Sequence, residues 1–274
     1  MSCFVSIVIP TYNRKRLVQE SIESALGFMA KSDMPMEIIV IDDASTDGTP
    51  ESIQKIYGHS IELGQLRVLV NGNNLGVTGA RNLAARSARG KWLMFVDSDD
   101  CLIPESAPKT CRVLELKSCY PMIIFRCKQY ETGMMIGIRK CQEQEISLWD
   151  FLNDFQLGEC LPVIQKEVFA KYPYQARLKG CEGITYAWMM RELGPILASP
   201  LVARRYRMDN EDRLCSFRGL YQRSCMIKSY HWQLLRHFHS YLTHSNQLKT
   251  LGKWIIYAMM CHVNQIHTKI KKVA

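Results

Sequence analysis

The sequence predicts an α/β fold with a mainly parallel central sheet and a helical, basic C-terminal appendage. Three observations point there. Strand-like and helix-like segments alternate over about the first hundred residues. Two of the strands end in clusters of carboxylates. The acidic residues stop at Asp212, while basic residues continue to Lys272. Alternation of this kind implies parallel strands joined by right-handed crossovers.

The elements follow in order. Residues 4–10 read as a strand ending at Pro10, and Thr11-Tyr12-Asn13-Arg14 as the loop beyond it. The spacing of Leu17, Ile22, Ala25 and Leu26 predicts a helix over 16–28. Ile38-Ile39-Val40-Ile41 is short and mostly β-branched, so 37–41 reads as a buried strand. Ser45 to Thr49 forms a turn that can cap a helix from Pro50. A strand over 65–70, a polar loop over 71–76, a small-residue helix over 80–88 and a strand over 91–96 complete the first part. After Leu102 the rhythm changes. A strand is expected over 121–127, helices over 148–155 and 182–193, and a strand over 196–206. Beyond Arg213 the pattern is helical, with Trp232, Leu235, Phe238 and Leu242 on one packing stripe. Residues 1–103 and 104–207 are thus expected as two halves of one domain, and 208–274 as its extension.

Composition narrows the class. The chain has 274 residues, 47% of them hydrophobic and 22% charged, which supplies a sizeable core and excludes global disorder. Eleven cysteines form no CxxC pair, which argues against a disulfide framework or clustered zinc and for reduced thiols in a cytosolic protein. The start, Met1 to Pro10, reads as a first strand rather than a signal peptide, and no apolar run reaches membrane-span length. The net charge of +9 is uneven. Ten basic residues and no acidic one follow Asp212, leaving 25 basic against 26 acidic elsewhere. Such asymmetry suggests an appendage facing an anionic partner.

The carboxylates carry the chemistry. Open α/β sheets bind ligands at the carboxyl ends of their strands. Asp42-Asp43 and Asp97-Ser98-Asp99-Asp100 stand at two such ends. Adjacent residues of an extended segment face opposite ways, so one of Asp42 and Asp43 is expected to face a ligand. Asp97 and Asp99, one residue apart, would point the same way on an extended backbone. Paired hard oxygens suit Mg²⁺ or Mn²⁺ holding a diphosphate. Asp100 is a third contact or a cap for the next turn.

Four segments together resemble family 2 glycosyltransferases with the GT-A fold, of the bacterial surface-polysaccharide type. They are Ser6 to Asn13, Val40 to Thr49, Asn73-Asn74-Leu75-Gly76 with Ala80-Arg81-Asn82, and Asp97 to Asp100. The resemblance covers the first hundred residues firmly and 104–206 loosely. It implies inverting transfer of a hexose or N-acetylhexosamine from a nucleotide diphosphate to an acceptor hydroxyl. The donor is expected as a UDP-sugar, with GDP-mannose and dTDP-sugars open, and the acceptor as a saccharide on a polyprenyl diphosphate. Pro10, Thr11, Tyr12 and Asp42 or Asp43 would then hold base and ribose. The helix behind Asn74 would bring Arg81 to the nucleotide. Asp97, with Ser98 beside it, would meet ribose or metal, and Asp99 would bind the Mn²⁺ or Mg²⁺ directly.

The family places its general base at the start of a helix after the acceptor region. Glu182 is the best fit, although Gly183 stands where a second acid is common; Glu159 and Asp154 are the fallbacks. Arg204, Arg205 and Arg207 could bind a phosphate or form a solvated edge. Tyr186 and Trp188 could line an acceptor sugar or pack in the core. The tail could meet an anionic membrane, meet nucleic acid or only solubilise. Trp254 to Met260, followed by Lys269, Lys271 and Lys272, suits an interfacial helix, and no nucleic-acid motif is present. The expected location is therefore cytoplasmic, peripheral to the inner face of the membrane, with no nucleic-acid partner. Two rivals keep the α/β sheet: a non-catalytic nucleotide-binding scaffold, and a nucleotidyltransferase. The second would carry a glycine-rich loop where Pro10-Thr11-Tyr12-Asn13 stands.

Overall fold

Four strands from the first hundred residues pair side by side, all parallel. They are β1 (Val5–Thr11), β2 (Met36–Asp42), β3 (Leu66–Val70) and β4 (Trp92–Phe95), in the order β3-β2-β1-β4. The computed structural model describes residues 3–138, 142–208 and 217–273. Every residue of β1 is buried, as β-branched strands covered on both faces should be. The strands alternate between two cores. Val8, Ile39, Ile41, Leu93 and Phe95 join one; Ile7, Ile9, Ile38, Val40, Trp92 and Met94 join the other. Helix α1 (Leu17–Ala30) buries Val18, Ile22, Ala25 and Phe28 at helical spacing. Helices α2 (Thr49–Ile56) and α3 (Gly58–Glu62) lead into β3. Helix α4 (Gly76–Ser87) lays Ala80, Ala84 and Ala85 on the sheet. It starts four residues before the helix predicted over 80–88.

The second half extends the same sheet. β5 (Cys101–Leu102), α5 (Ala107–Leu116), β6 (Met122–Gln129), β7 (Gln144–Ile146), α6 (Leu148–Asn153), β8 (Cys160–Gln165), α7 (Lys166–Lys171), α8 (Gly183–Leu193) and β9 (Ile196–Tyr206) follow. The sheet continues β4-β8-β6-β9-β5, with β7 on β9. β8 runs antiparallel between β4 and β6, whereas β6 and β9 are parallel. The sequence reading lacks the short strands β5 and β7 as well as α5, β8 and α7. The buried face of α5 includes Thr110 and Cys111, which weakens its apolar period. β8 contains Pro162, ordinarily a sign against a central strand. Its pairing with β4 begins only at Val163, so the proline sits beyond that ladder.

Three helices close the described chain: α9 (Phe217–Gln222), α10 (Ser224–Phe238) and α11 (His244–Val273). Two expectations are corrected here. The thiols are not all reduced, because Cys225 of α10 and Cys261 of α11 form a disulfide with Cα atoms 4.9 Å apart. The stripe of Trp232, Leu235, Phe238 and Leu242 is not one packing face. The helix ends at Phe238, a 3₁₀ turn follows, and Leu242 is buried from the loop, while Trp232 is 48% exposed. Arg213 lies outside the described residues, as do the side chains of Arg218, Lys269, Lys271 and Lys272.

Candidate active site

Parallel pairing aligns the carboxyl ends of the first strands. Thr11 stands opposite Asp42, and Asp42 opposite Val70. Asn13 locks the two loops beyond. It takes a left-handed backbone (φ +50°), its N–H donates to Ser45 Oγ at 2.8 Å, and its Oδ1 accepts from the Thr46 N–H at 2.8 Å. Asparagine tolerates that conformation better than most residues. Tyr12 is left half-exposed beside Thr11, and Pro10 stays buried in β1.

The two adjacent aspartates divide their labour. Asp43 is buried and fully used. Its carboxylate accepts from Asn71 Nδ2 at 2.7 Å, the Leu75 N–H at 2.9 Å and the Gly76 N–H at 2.6 Å. That explains the early start of α4: a charged acceptor sits at the helix N-terminus. Asp42 is also buried, but only Oδ2 is engaged, by the Ser45 N–H at 2.8 Å. Asp42 Oδ1 and its neighbour Thr11 Oγ1 have no hydrogen-bond partner among the described residues. Buried polar atoms are nearly always paired, so two orphans at neighbouring strand ends form a place for a ligand's polar groups. Asn74 turns its Oδ1 to the Gly76 N–H at 3.1 Å, within the loop. Lys179 lies over that loop. A Cβ on Gly76 would fall 2.3 Å from Lys179 Cε.

The second cluster departs from expectation. Residues 97–100 are not extended: the Asp100 N–H donates to Asp97 O at 3.0 Å, closing a turn. The carboxylates therefore diverge. Asp97 pairs with Arg81, Asp99 with Arg14, and buried Asp100 with Arg204 at 3.1 Å. Ser98 between them is buried. Burial works against ionised Asp97, but Arg81, Arg204 and Arg14 outweigh it and hold its carboxyl below the usual range. Burial pushes Asp100 up to about 8 against the pull of Arg204, with Asp97 and Asp99 adding to the rise. Among the described residues no three His, Cys, Asp or Glu side chains converge into a protein-only metal site. A hard cation here would rest on Asp99 and Asp97, with a diphosphate and water completing its shell, as Mg²⁺ commonly is held. The carboxylate oxygens are the hard donors such a cation takes, and Arg14, part-buried on Asp99, is the partner a cation there would replace.

Arg81 joins the cluster to the second half of the chain. Its guanidinium is buried, pairs with Asp97 through Nη2 and lies 3.0 Å from Glu182 Oε1 through Nη1. Its centre is 5.8 Å from the rings of Phe95 and of Tyr174. Glu182 is the N-cap of α8. Burial raises its pKa, Arg81 opposes, and the net shift is upward. The fallback carboxylates lie elsewhere. Glu159 is exposed and pairs with Arg204, and Asp154 accepts from Gln156 beyond α6.

Arg204 is buried against Cys127, Glu159 and Asp100, and Arg207 pairs with Glu20 at 2.6 Å over the Tyr130 ring. These two arginines tie β9 to the carboxylate turn, and Arg205 is exposed. Tyr186 hydrogen-bonds Tyr174 at 2.9 Å, while Trp188 packs on Phe238 and Arg191. Arg14, Lys179 and Tyr174 went unassigned in the sequence reading. Only Arg14, directly after the Pro-Thr-Tyr-Asn loop, carried a local signal.

Residues 6–172 match the model of glycosyl transferase family 2. This chain belongs to that family. It is 30% identical over 170 residues to an uncharacterized glycosyltransferase of Haemophilus influenzae, covering 61% of this chain and 54% of the relative. It is 35% identical over 118 residues to the UDP-Glc:alpha-D-GlcNAc-diphosphoundecaprenol beta-1,3-glucosyltransferase WfaP of Escherichia coli, covering 42% and 43%. The chain thus spans about half the length of these curated relatives. In structure it resembles S. aureus TarS 1-349 in complex with UDP-GlcNAc, with a TM-score of 0.65 and 17% identity over 93% of this chain and 72% of that one. It also resembles the mannosyltransferase PcManGT of Pyrobaculum calidifontis in complex with GDP-Man and Mn²⁺, with a TM-score of 0.63 and 15% identity over 97% and 76%. These likenesses show the GT-A fold. The family 2 match contains the strand-end residues described above, from Pro10 to Asp99, and ends before Glu182.

Proposed function

We propose that this family 2 chain is an inverting glycosyltransferase. It moves a hexose or N-acetylhexosamine from a UDP-sugar to a lipid-linked saccharide in the building of a bacterial surface polysaccharide. The observation that carries the reading is the Arg81 bridge, which holds donor-side Asp97 and helix-capping Glu182 on one guanidinium. Asp42 Oδ1, Thr11 Oγ1 and Tyr12 receive the base and ribose. Glu182 takes the proton of the acceptor hydroxyl as that oxygen bonds to the anomeric carbon and the bond to the diphosphate breaks. Asp99 and Asp97 would hold a Mn²⁺ or Mg²⁺, whose chemistry when bound would be charge neutralisation of the departing diphosphate. Residues 1–103 serve the donor and 104–207 the acceptor.

The donor class draws support from the names of WfaP and of the TarS complex, and the acceptor class from WfaP. Among the described residues no helix is long and apolar enough to cross a membrane. On this reading the chain works at the inner membrane face, where a lipid-linked acceptor would be presented. GDP-mannose is the second donor reading, favoured by the likeness to PcManGT.

Calorimetric titration with UDP and GDP, each with and without Mn²⁺, tests the proposal. Metal-dependent UDP binding that Asp99→Ala removes is the expected result. Binding of GDP alone redirects the donor to mannose. Failure of UDP, GDP, CDP and dTDP alike overturns the enzyme in favour of a scaffold.

A further inference from the structure

We propose that the outward face of α11 is a docking surface for an anionic lipid bilayer. This deepens the lipid-linked-acceptor reading above and rests on it. Helix α11 packs on α10 with one side only. Thr250 and Cys261 are buried, Tyr257 stacks on His231 with ring centroids 6.0 Å apart, and Asn264 donates to Tyr221 O at 3.4 Å. Those positions share a face at helical spacing. The opposite face carries Leu248, Ile255, Ile256, Met259, Val263 and Ile266, each 44–70% exposed. From 248 to 266 this stripe runs about 27 Å. It is continuous and apolar, unlike the scattered exposed side chains common on soluble proteins.

Charge selects the occupant. Neither α10 nor α11 contains an aspartate or glutamate. Lys249 and Lys253 are exposed beside the stripe. A second copy laid on this face would set lysines against lysines with no acid to answer them. A nucleic-acid backbone would meet the lysines and leave the apolar stripe bare. An anionic bilayer answers both: acyl chains take the stripe and headgroups the lysines. Half-exposed Trp232, its ring 5.7 Å from that of Trp254, adds the amphipathic aromatic surface that favours such an interface.

The hairpin is also joined to the site. Arg223, just before α10, donates to Lys179 O at 2.7 Å, and Tyr230 of α10 lies against Gly183 beside Glu182. A bilayer on α11 would leave one helix between the lipid surface and the Glu182 loop. A lipid-linked saccharide held in that bilayer would reach the catalytic carboxylate from this side.

Vesicle flotation tests the surface, with phosphatidylglycerol mixed into phosphatidylcholine and with phosphatidylcholine alone. The full chain is expected to float with the anionic vesicles, to be released by high salt, and to ignore phosphatidylcholine. The double substitution Ile255→Asp with Met259→Asp should weaken binding at least about tenfold, and Lys249→Glu with Lys253→Glu should weaken it severalfold. Both variants should keep the nucleotide binding of the parent chain, measured by calorimetry without vesicles. Equal flotation on both lipids, or binding unchanged in both variants, overturns the proposal. So does a stable dimer in solution that the Ile255/Met259 variant breaks. Absence of nucleotide binding in the parent chain would instead count against the enzymatic reading, whatever the flotation result.

Discussion

Arg81 Nη1 lies 3.0 Å from Glu182 Oε1, across 101 residues of chain. The same guanidinium pairs with Asp97, so one buried cation couples the carboxylate turn after β4 to the N-terminus of α8. Truncating one partner of such a buried set leaves an uncompensated charge, which is costly. The bridge therefore holds Glu182 in place and works against the burial that raises its proton affinity.

Replacing Glu182 with Gln keeps the side-chain shape and its contact to Arg81 but removes the proposed base. Transfer should fall about a hundredfold or more, with UDP affinity unchanged by calorimetry. A variant that transfers near the parent rate would put the base elsewhere, with Glu159 the next carboxylate to test.

Removing Arg81 should move the pH profile in a defined direction. Burial raises the Glu182 pKa and Arg81 holds it back. In Arg81→Met the burial is uncompensated, so the pKa rises further. With Glu182 as the proposed base, transfer would need the ionised carboxylate, and the acidic limb of kcat/KM should shift to higher pH. Arg81→Lys should restore part of the shift. An acidic limb that stays in place, or moves to lower pH, would refute the electrostatic role.

Asp42 and Asp43 should separate cleanly on mutation. Asp43→Ala strips an acceptor from Asn71 Nδ2 and from two backbone N–H groups, at a cost of about 3 kcal/mol and a Tm lower by several degrees. Asp42→Ala releases only the Ser45 N–H and already has an idle oxygen, so it should cost less stability and more UDP affinity. Thermal denaturation and calorimetry on both variants check the contrast.

His231 should make the C-terminal hairpin sensitive to acid. Burial, with Lys253 nearby, lowers its pKa from the usual 6.5 to about 4. The unfolded chain therefore takes up a proton near pH 6.5 that the folded chain resists until about pH 4. This contribution to stability is complete above pH 6.5 and shrinks as pH falls toward 4. In His231→Phe the slope of stability against pH over that window should flatten. An unchanged slope in urea titrations would locate the acid sensitivity elsewhere.

Legibility followed the range of the interactions. Strands β1 to β4 were readable because β-branched runs and helical periods are local patterns. The orphaned pair of Thr11 and Asp42 was approachable because each residue directly follows a predicted strand. β8 hid behind Pro162, and α5 behind a buried face containing Thr110 and Cys111. The turn at Asp97 to Asp100 escaped because a strand-end carboxylate run looks the same extended or folded back.

By itself the sequence determined the alternating α/β plan, the carboxylates at the strand ends and an acid-free C-terminal region. Each is a property of neighbouring residues or of composition. Tertiary structure alone decided which oxygens are idle and which are held. It gave Asp43 to the α4 loop, left Asp42 half-used, set Arg81 between Asp97 and Glu182, and joined Cys225 to Cys261. It also turned one side of α11 toward α10 and the other outward. Those outcomes depend on side chains far apart in the chain meeting at a single point, and only the packed sheet and its helices fix where they meet.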